Sequence, residues 1–445
     1  MSGGRPKTAS SPSPVPPAEQ AARDRAAWRS LPRSELERRQ IQRLNELLAD
    51  LLPHNRFYRA KLGASRQLAS LAELHTLPLT TKQELVQAQP RGGWSENLTY
   101  PLSHYVRFHQ TSGTSGFPLK VLDTAQDWEW WLDVWQYVLD SGGLTANDRC
   151  LLAFSFGPFV GFWSAFEALI RRGVMAIPSG GLTSLARLEL IESTQATVLL
   201  CTPSYAQHLS EVGIRHGKHL PGLGIRAIIV AGEPGGSIPA VRQRIEQAWG
   251  AQLIDHAGAS EVGPWGFADA NHSGLHVTEA EFIAEFLSTD SDAPAAPGEL
   301  AELVLTNLGR RGAPILRYRT GDMVRPVWDH DRPCRFVLLD GGVLGRRDDM
   351  LIIRGVNIFP SSIEQILREV PAVDEFRLTA FREGAMDQLR VEVEAAPATA
   401  EHLQELLAAR LGLRIQVDAV PSGSLPRAEF KARRLIDLRQ ASVGP

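Results

Sequence analysis

Between residues 198 and 254, three short apolar runs (198–202, 226–230 and 252–254) alternate with two stretches of helical periodicity, one after Pro203 and one from Ile238 to Trp249. Strand-like runs separated by helix-length segments pair side by side, in parallel, under a cover of helices. The middle of the chain therefore reads as a parallel α/β sheet.

The flanks extend this core in two ways. Upstream, Leu36, Ile41, Leu44, Leu47, Leu48 and Leu51 recur at helical spacing until Pro53, which predicts an amphipathic helix and a second short one before residue 62. Residues 125–141 repeat the pattern with Trp128, Trp131, Leu132, Trp135, Val138 and Leu139 on one stripe, closed by Gly142 and Gly143. Trp130 adds a further indole. Aromatic residues at this spacing bury large areas against their neighbours, so core packing outweighs a cofactor role. After residue 282 the strands 282–287, 298–306 and 336–339 come with few helices. A new unit opens near Gly345 with strand 350–354, helix 361–370, strands 376–381 and 389–394, helix 400–411 and strand 414–420. It holds about 100 residues, a normal size for one core. The expected fold class is α/β. A large multi-subdomain N-terminal domain over 19–345 carries parallel α/β sheets and a β-rich part; a small α+β domain spans 346–440, and residues 1–18 form a disordered tail.

Composition narrows the function. The 445 residues exceed one small module, and 43% hydrophobic side chains supply a sizeable core. With 47 basic and 50 acidic side chains the net charge is −3, too weak a field to hold nucleic acid or an anionic membrane, so small molecules are the expected partners. Cys150, Cys201 and Cys334 are far apart, odd in number and without a CxxC pair, which fits a reducing cytoplasm. The most apolar stretch, 151–163, is too short and too rich in glycine and proline for a membrane span of about 20 residues. Residues 1–17 contain no apolar signal-peptide core.

Several segments carry chemistry. Thr111-Ser112-Gly113-Thr114-Ser115-Gly116-Phe117-Pro118 mixes hydroxyls with glycines. Glycine lets backbone N–H groups converge on an anion and the hydroxyls add donors, which suits phosphate; Pro118 stands where a Walker A loop needs Gly-Lys. Alone, the segment would serve equally as a linker. Gly232-Glu233-Pro234 and Asp255-His256-Ala257-Gly258-Ala259-Ser260-Glu261 each lie at the end of an expected strand, where open parallel sheets gather ligands. A GxSxG hydrolase elbow nearly occurs there, but its last glycine, Gly263, comes one residue late. Glu261 reads as a hard oxygen ligand for Mg²⁺. In Tyr318-Arg319-Thr320-Gly321-Asp322 an Asp after a tight turn can accept from both hydroxyls of a ribose, and Arg346 can pair with phosphate. Singly, these read more readily as solvated turn charges with a helix-capping Asp than as functional groups. Residues 425–434 alone read as a basic exposed tail.

In this order the segments resemble the adenylate-forming superfamily and, within it, the phenylacetate–CoA ligase-like branch. Asn55-Arg56-Phe57-Tyr58-Arg59 and Leu79-Thr80-Thr81-Lys82-Gln83-Glu84-Leu85 look like that branch's N-terminal signatures, and residues 348–360 look like its hinge segment. The likeness spans about residues 36–437, and a chance match to a set of ordered motifs is far less plausible than a match to any one. The resemblance implies an ATP-dependent ligase that converts a carboxylic acid to an acyl adenylate, releases pyrophosphate and transfers the acyl group to a thiol, with coenzyme A the expected acceptor. A carboxylate is anionic and its oxygen leaves badly; adenylation cures both, and the protein must position two anions and neutralise their charge.

By the same resemblance, Thr111, Ser112, Gly113, Thr114, Ser115 and Gly116 hold the pyrophosphate end of ATP and Glu261 holds magnesium. Asp322 and Arg346 hold the ribose, and Gly232, Glu233 and Pro234 the adenine, with Asp255, His256, Ala257 and Ser260 in the same nucleotide site. Lys431 neutralises the transferring phosphate and acts catalytically with Glu261 and Arg346. It follows Phe430 where the family has glycine, and Lys120 is the alternative. Asp348 is the hinge about which the small, mobile domain turns to bring Gly355 to a thiol tunnel.

Departures from the family pattern carry their own expectations. Ala257 stands where an aromatic ring commonly meets adenine, so stacking is weaker or falls to His256. Some relatives hold zinc in the segments here at 267–276 and 333–338; Ala268 replaces a cysteine and leaves His276 and Cys334, too few for a tetrahedral site, so no zinc is expected. Phe154, Phe156, Phe159, Phe162 and Trp163 match the acid-binding region, although core packing is an equal reading of them. Ser204, His256, Ala257, Gly258 and Pro264, with Trp265 beyond, complete a pocket suited to an aryl acid, a hydroxy- or amino-benzoate in particular. Two alternatives stay open. One transfers the acyl group to an amine or hydroxyl of a second aromatic molecule, as in biosynthesis of amides or esters; the other is a non-catalytic module that binds nucleotide or acid. A homodimer is compatible with all three.

Overall fold

In the computed structural model of the chain, the strand Gln252–Ala259 changes partners halfway along. Through Asp255 it pairs in parallel with Ala227–Val230, and from His256 onward it pairs antiparallel with Gly263–Ala268. The structure describes residues 18–64, 66–111, 118–154, 157–269, 271, 274–289, 291–329, 331–349, 351–353, 356–383, 386–426 and 434–439. Among these a nine-stranded sheet orders Met175–Pro178, Arg149–Leu152, Val198–Cys201, Ala227–Val230 and Gln252–Ala259 in parallel, then Gly263–Ala268, Gly274–Val277, Leu338–Asp340 and Pro326–Val327 antiparallel. Val198–Cys201 and Ala227–Val230 are buried along their whole length, as runs without polar alternation require.

The β-rich part is a four-stranded antiparallel sheet among the described residues: Phe282–Ser288, Ala301–Asn307, Tyr318–Val324 and Gly345–Arg346. A separate hairpin pairs Tyr105–Gln110 with Lys120–Thr124 and so brackets the hydroxyl–glycine segment. The small domain wraps helices Pro360–Arg368 and Pro397–Leu411 around a sheet of Gln416–Val420, Met386–Glu394, Phe376–Glu383 and Leu435–Asp437, with its own core. This is the expected α/β architecture with a β-rich part and a small α+β domain. Gln252–Ala259 runs past its expected end at residue 254, because the antiparallel partner continues the ladder where the parallel one stops. Arg149–Leu152 opens the apolar stretch that sequence alone does not divide, and helix Val160–Arg172 closes it. The expected tail precedes helix Ala18–Arg29 and lies, up to residue 17, outside the described residues.

Two helices show why the pattern forms. Arg33–Leu51 buries Leu36, Leu44, Leu47, Leu48 and Leu51, and the last four pack in one cluster with Ile283, Leu308 and Leu316 of the β-rich region. At about 1.5–3 kcal/mol per buried leucine, this face anchors the N-terminal segment to the sheet. Ala125–Ser141 starts at a capping box between Thr124 and Asp127. Its four buried tryptophans each place the indole N–H on an acceptor: Trp128 on Glu167, Trp130 on Glu281, Trp131 on Asp123 and Trp135 on Ser164. The stripe is core packing. Among the described residues no helix is long and apolar enough to cross a membrane.

His276 and Cys334 do meet, beside Asp269. Among the described residues no three or more His, Cys, Asp or Glu gather as metal ligands do. His276 is 1% exposed; Nδ1 lies 3.0 Å from the Phe336 carbonyl and Nε2 3.2 Å from Asp269 Oδ1. Burial opposes its charge, but bonds to Asp269 and Cys334 outweigh burial and raise its pKa to about 9. A histidine whose pKa is raised by folding stabilises the fold fully below its unfolded value, near 6.5, and loses that contribution as pH climbs through the folded value. Urea unfolding between pH 6 and 10 is therefore expected to lose on the order of 3 kcal/mol of this contribution. The His276→Gln chain should lack that slope, and an unchanged slope in it would remove the assignment.

Candidate active site

Glu261 follows the end of Gln252–Ala259, in the turn that leads into Gly263–Ala268, and is 8% exposed. Its Oε1 accepts the Tyr318 hydroxyl at 2.7 Å, and Lys82 Nζ stands 4.0 Å from the same oxygen. Lys82 arrives by backbone pairing. Thr80 N donates to the Arg317 carbonyl at 2.8 Å and Arg319 N to the Thr80 carbonyl at 2.9 Å, which lays the N-terminal segment along the start of Tyr318–Val324. Thr81 then forms a capping box with Glu84 and begins helix Lys82–Gln87, so Lys82 is the first helical residue. Sequence reasoning sees the signature. It does not see that the helix opens toward Glu261, which depends on a pairing between segments far apart in the chain.

Asp322 and Arg346 face each other across adjacent strands, with Nη1 3.0 Å from Oδ1. Burial first, then the charge and hydrogen bond of Glu261, raise the Tyr318 pKa well above the phenol range, and Arg346 and Asp322 also act on that hydroxyl. Glu261, Lys82, Asp322 and Arg346 therefore gather around Tyr318. The fold converges these charges from three parts of the chain.

The Gly232-Glu233-Pro234 segment lies at the end of the neighbouring strand. Glu233 accepts the Ser204 N–H at 2.8 Å, and burial raises its pKa. Asp255 supports the loop from below. Its carboxylate accepts from Ser237 Oγ and from the His256 N–H, and a Cβ at Gly236 would overlap it. Burial raises the Asp255 pKa to about 6. The structure thus places Asp255 as a brace beneath the loop.

On the opposite side, His256 is 6% exposed, with its ring 4.3 Å from that of Trp135. Nδ1 lies 2.7 Å from the Gly266 carbonyl, so Nδ1 carries the hydrogen, and burial lowers the pKa to about 4. Nε2 is then a bare acceptor. Gly258 is exposed, and a Cβ there would stand 3.6 Å from His256 Nε2 and only 3.1 Å from the Gly263 carbonyl, so the position must stay open. Phe154 stacks on Phe162 at 4.2 Å, while Phe159 is 38% exposed. Ala257 lies opposite Gly266; Pro264 and Trp265 are buried on the same strand; Ser204 Oγ bonds Thr202. Trp163 Nε1 donates to the Gly157 carbonyl.

Thr111 is fixed at the mouth of the hairpin, with its N–H on the Leu119 carbonyl and its Oγ1 accepting the Leu119 N–H. Lys120, the alternative lysine, donates to the Gly93 carbonyl at 2.9 Å and lies over Trp94. Ser112, Gly113, Thr114, Ser115, Gly116, Phe156, Gly355 and Lys431 lie outside the described residues, as does the side chain of Asp348.

The chain is similar to known proteins over most of its length. Residues 355–439 match the AMP-binding enzyme C-terminal domain. Over 425 residues the chain is 32% identical to the phenylacetate–coenzyme A ligase of Escherichia coli (strain K12), covering 91% of this chain and 95% of that protein. A crystal structure of 2-hydroxyisobutyryl-CoA ligase in the postadenylation state, complexed with 2-HIB-AMP, is 26% identical and superposes with a TM-score of 0.88 over 96% of this chain and 94% of that one. The same ligase in the thioesterification state, with 2-HIB-AMP and CoA, gives 0.71 at 27% identity and the same coverage, 96% and 94%. At equal coverage, the fold here superposes better on the postadenylation structure of that ligase than on its thioesterification structure.

Gly321 has φ +74°, and a Cβ there would come within 3.0 Å of Arg346 Nη2. Gly321→Ala is expected to destabilise the fold by roughly 1–2 kcal/mol through left-handed strain and to push Arg346 off Asp322. Thermal unfolding and a crystal structure of the variant check both effects, and an undisturbed Asp322–Arg346 pair would contradict the second.

Proposed function

Because the chain belongs to the phenylacetate–CoA ligase-like branch of the adenylate-forming enzymes and is an acid–thiol ligase, we propose that it activates an aryl carboxylic acid, a hydroxy- or amino-benzoate, and passes it to coenzyme A. The observation that carries this reading is the convergence of Glu261, Lys82, Asp322 and Arg346 on Tyr318 at the carboxyl end of the sheet. Two anions, the triphosphate and the acid, must share one site, and fixed charges there lower the barrier without reorganisation.

In the first step an acid oxygen bonds to the α-phosphorus of ATP while the bond from that phosphorus to the bridging oxygen breaks, releasing pyrophosphate. Glu261 has the donor chemistry for Mg²⁺: Oε1 is committed to Tyr318, and Oε2 has no hydrogen-bond partner among the described residues. When bound, the ion supplies charge neutralisation to the phosphates. Lys82 adds a cation at the same place, and Lys431 is proposed to neutralise the α-phosphate. Asp322 and Arg346 are assigned to the ribose and the Gly232-Glu233-Pro234 loop to adenine. In the second step the thiol sulfur bonds to the acyl carbon and AMP leaves, after Asp348 has served as the hinge that carries Gly355 toward the thiol.

His256 supports the choice of acid. With Nδ1 donating to Gly266, the bare Nε2 behind exposed Gly258 can accept a hydrogen bond from a ring hydroxyl or amine. Trp135 and the Phe154–Phe162 stack suit an aromatic ring.

ATP–pyrophosphate exchange should be stimulated by acids of this class in a pooled aryl-acid library, and a library that stimulates nothing would sink the reading. His256→Leu is expected to lower kcat/KM for the hydroxy- or amino-acid about 10- to 100-fold relative to the unsubstituted acid. Equal losses for both would remove His256 from recognition. Lys82→Met should weaken Mg·ATP roughly tenfold with little change in unfolding temperature. Lys431→Ala should slow adenylation while sparing thioester formation from supplied adenylate; equal loss in both steps contradicts its assignment.

A further inference from the structure

Arg310 is a fully buried cation, 1% exposed, that the reaction above does not use. Its guanidinium lies between two elements of the site. Nε donates to Asp123 Oδ1 at 2.7 Å and Nη2 to the Leu122 carbonyl at 3.4 Å. Nη1 donates to the Glu261 carbonyl at 2.8 Å and reaches the Ser260 carbonyl at 3.4 Å. Leu122 and Asp123 belong to the strand that leaves the hydroxyl–glycine segment, at whose mouth Lys120 pairs with Gln110. The one side chain therefore spans the stem of the phosphate segment and the backbone of Glu261. Trp131 Nε1, 3.2 Å from the same Asp123 oxygen, ties the pair to the tryptophan helix.

Stability alone does not account for such a pair. Desolvating both charges cancels much of their attraction, and well-packed apolar side chains of similar volume often serve the fold as well. Asp123 Oδ2 and His109 Nδ1 are buried 4.0 Å apart, and neither has a hydrogen-bond partner among the described residues. His109 is neutral, since burial, then Arg310 and Arg107, lower its pKa to about 4. What an apolar pair cannot supply is a planar fork that fixes several oxygens relative to one another.

We infer that Arg310, held by Asp123, is a positioning residue that sets the distance between strand Lys120–Thr124 and the backbone of Glu261, and so the place of Glu261 in phosphate binding; this rests on the adenylation reading above. Two variants test it. Arg310→Lys keeps the charge and loses the fork, and Arg310→Met combined with Asp123→Leu replaces the ion pair with apolar groups. Calorimetry with Mg²⁺ and a non-hydrolysable ATP analogue follows nucleotide binding, thermal unfolding follows the fold, and pyrophosphate exchange follows adenylation.

In both variants the Mg²⁺ concentration for half-maximal analogue binding should rise about tenfold and exchange kcat should fall about 100-fold. The acid KM should stay within about twofold, and the double variant should stay cooperatively folded with a modestly lower unfolding temperature, since Trp131 Nε1 and the Glu261 carbonyl lose a partner. Variants that bind and exchange like the wild type overturn the inference. So does a collapse of unfolding temperature with acid and nucleotide binding lost together in both, which marks a structural role alone. A wild-type chain that binds no Mg·nucleotide overturns the functional reading and this inference with it, whereas wild-type binding matched by both variants removes only the inference.

Discussion

The backbone ladder of Gln252–Ala259 can serve two neighbours only by ending one pairing where the next begins, and that change falls between Asp255 and His256. The parallel half leaves Asp255 under the loop at 232–237, while the antiparallel half turns His256 toward Trp135 and delivers Glu261 into the following turn. Successive strand residues point to opposite faces, so one short strand places Asp255 and His256 on opposite sides of the sheet. The residues proposed for the nucleotide and those proposed for the acid are therefore joined by a covalent chain of a few residues.

Charge at the site is arranged by contrast. His256 is held neutral by burial, and Tyr318 is kept protonated by burial and by Glu261, so each presents a fixed hydrogen-bond polarity beside groups that carry full charge. A neutral imidazole with one nitrogen committed has a defined acceptor, and a protonated phenol a defined donor. Preorganised donors and acceptors of this kind need no rearrangement as charge moves in a reaction.

The root of the small domain is fastened to the β-rich sheet by another buried carboxylate. Glu302 Oε2 lies 2.6 Å from both Arg319 Nη2 and Arg347 Nη1, so the strand bearing Asp322 and the turn after Gly345–Arg346 share one anchor. Beyond it, Arg244 of helix Pro239–Trp249 donates to the Val373 carbonyl, and Arg434 bonds Glu375 and Glu364 within the small domain. A single cross-domain hydrogen bond of this sort is modest in strength. The structure thus joins the small domain to the β-rich sheet through charge at its root and to the parallel sheet through a helix.

What the chain declares residue by residue is whatever depends on neighbours in sequence. Unbroken apolar runs fixed the strands at 198–201 and 227–230, helical spacing fixed Arg33–Leu51 and the tryptophan helix, and the ordered polar segments identified the family. Lys82 beside Glu261, Arg310 across Asp123 and the tautomer of His256 were decided only in three dimensions, because each depends on an atom contributed by a distant segment. Asp255 illustrates the limit: its place at a strand end is legible in the sequence, but that its carboxylate accepts from Ser237 and the His256 N–H is not. Periodicity tells which face a side chain takes, but the partner across that face is set by how the layers stack, and no local pattern encodes it.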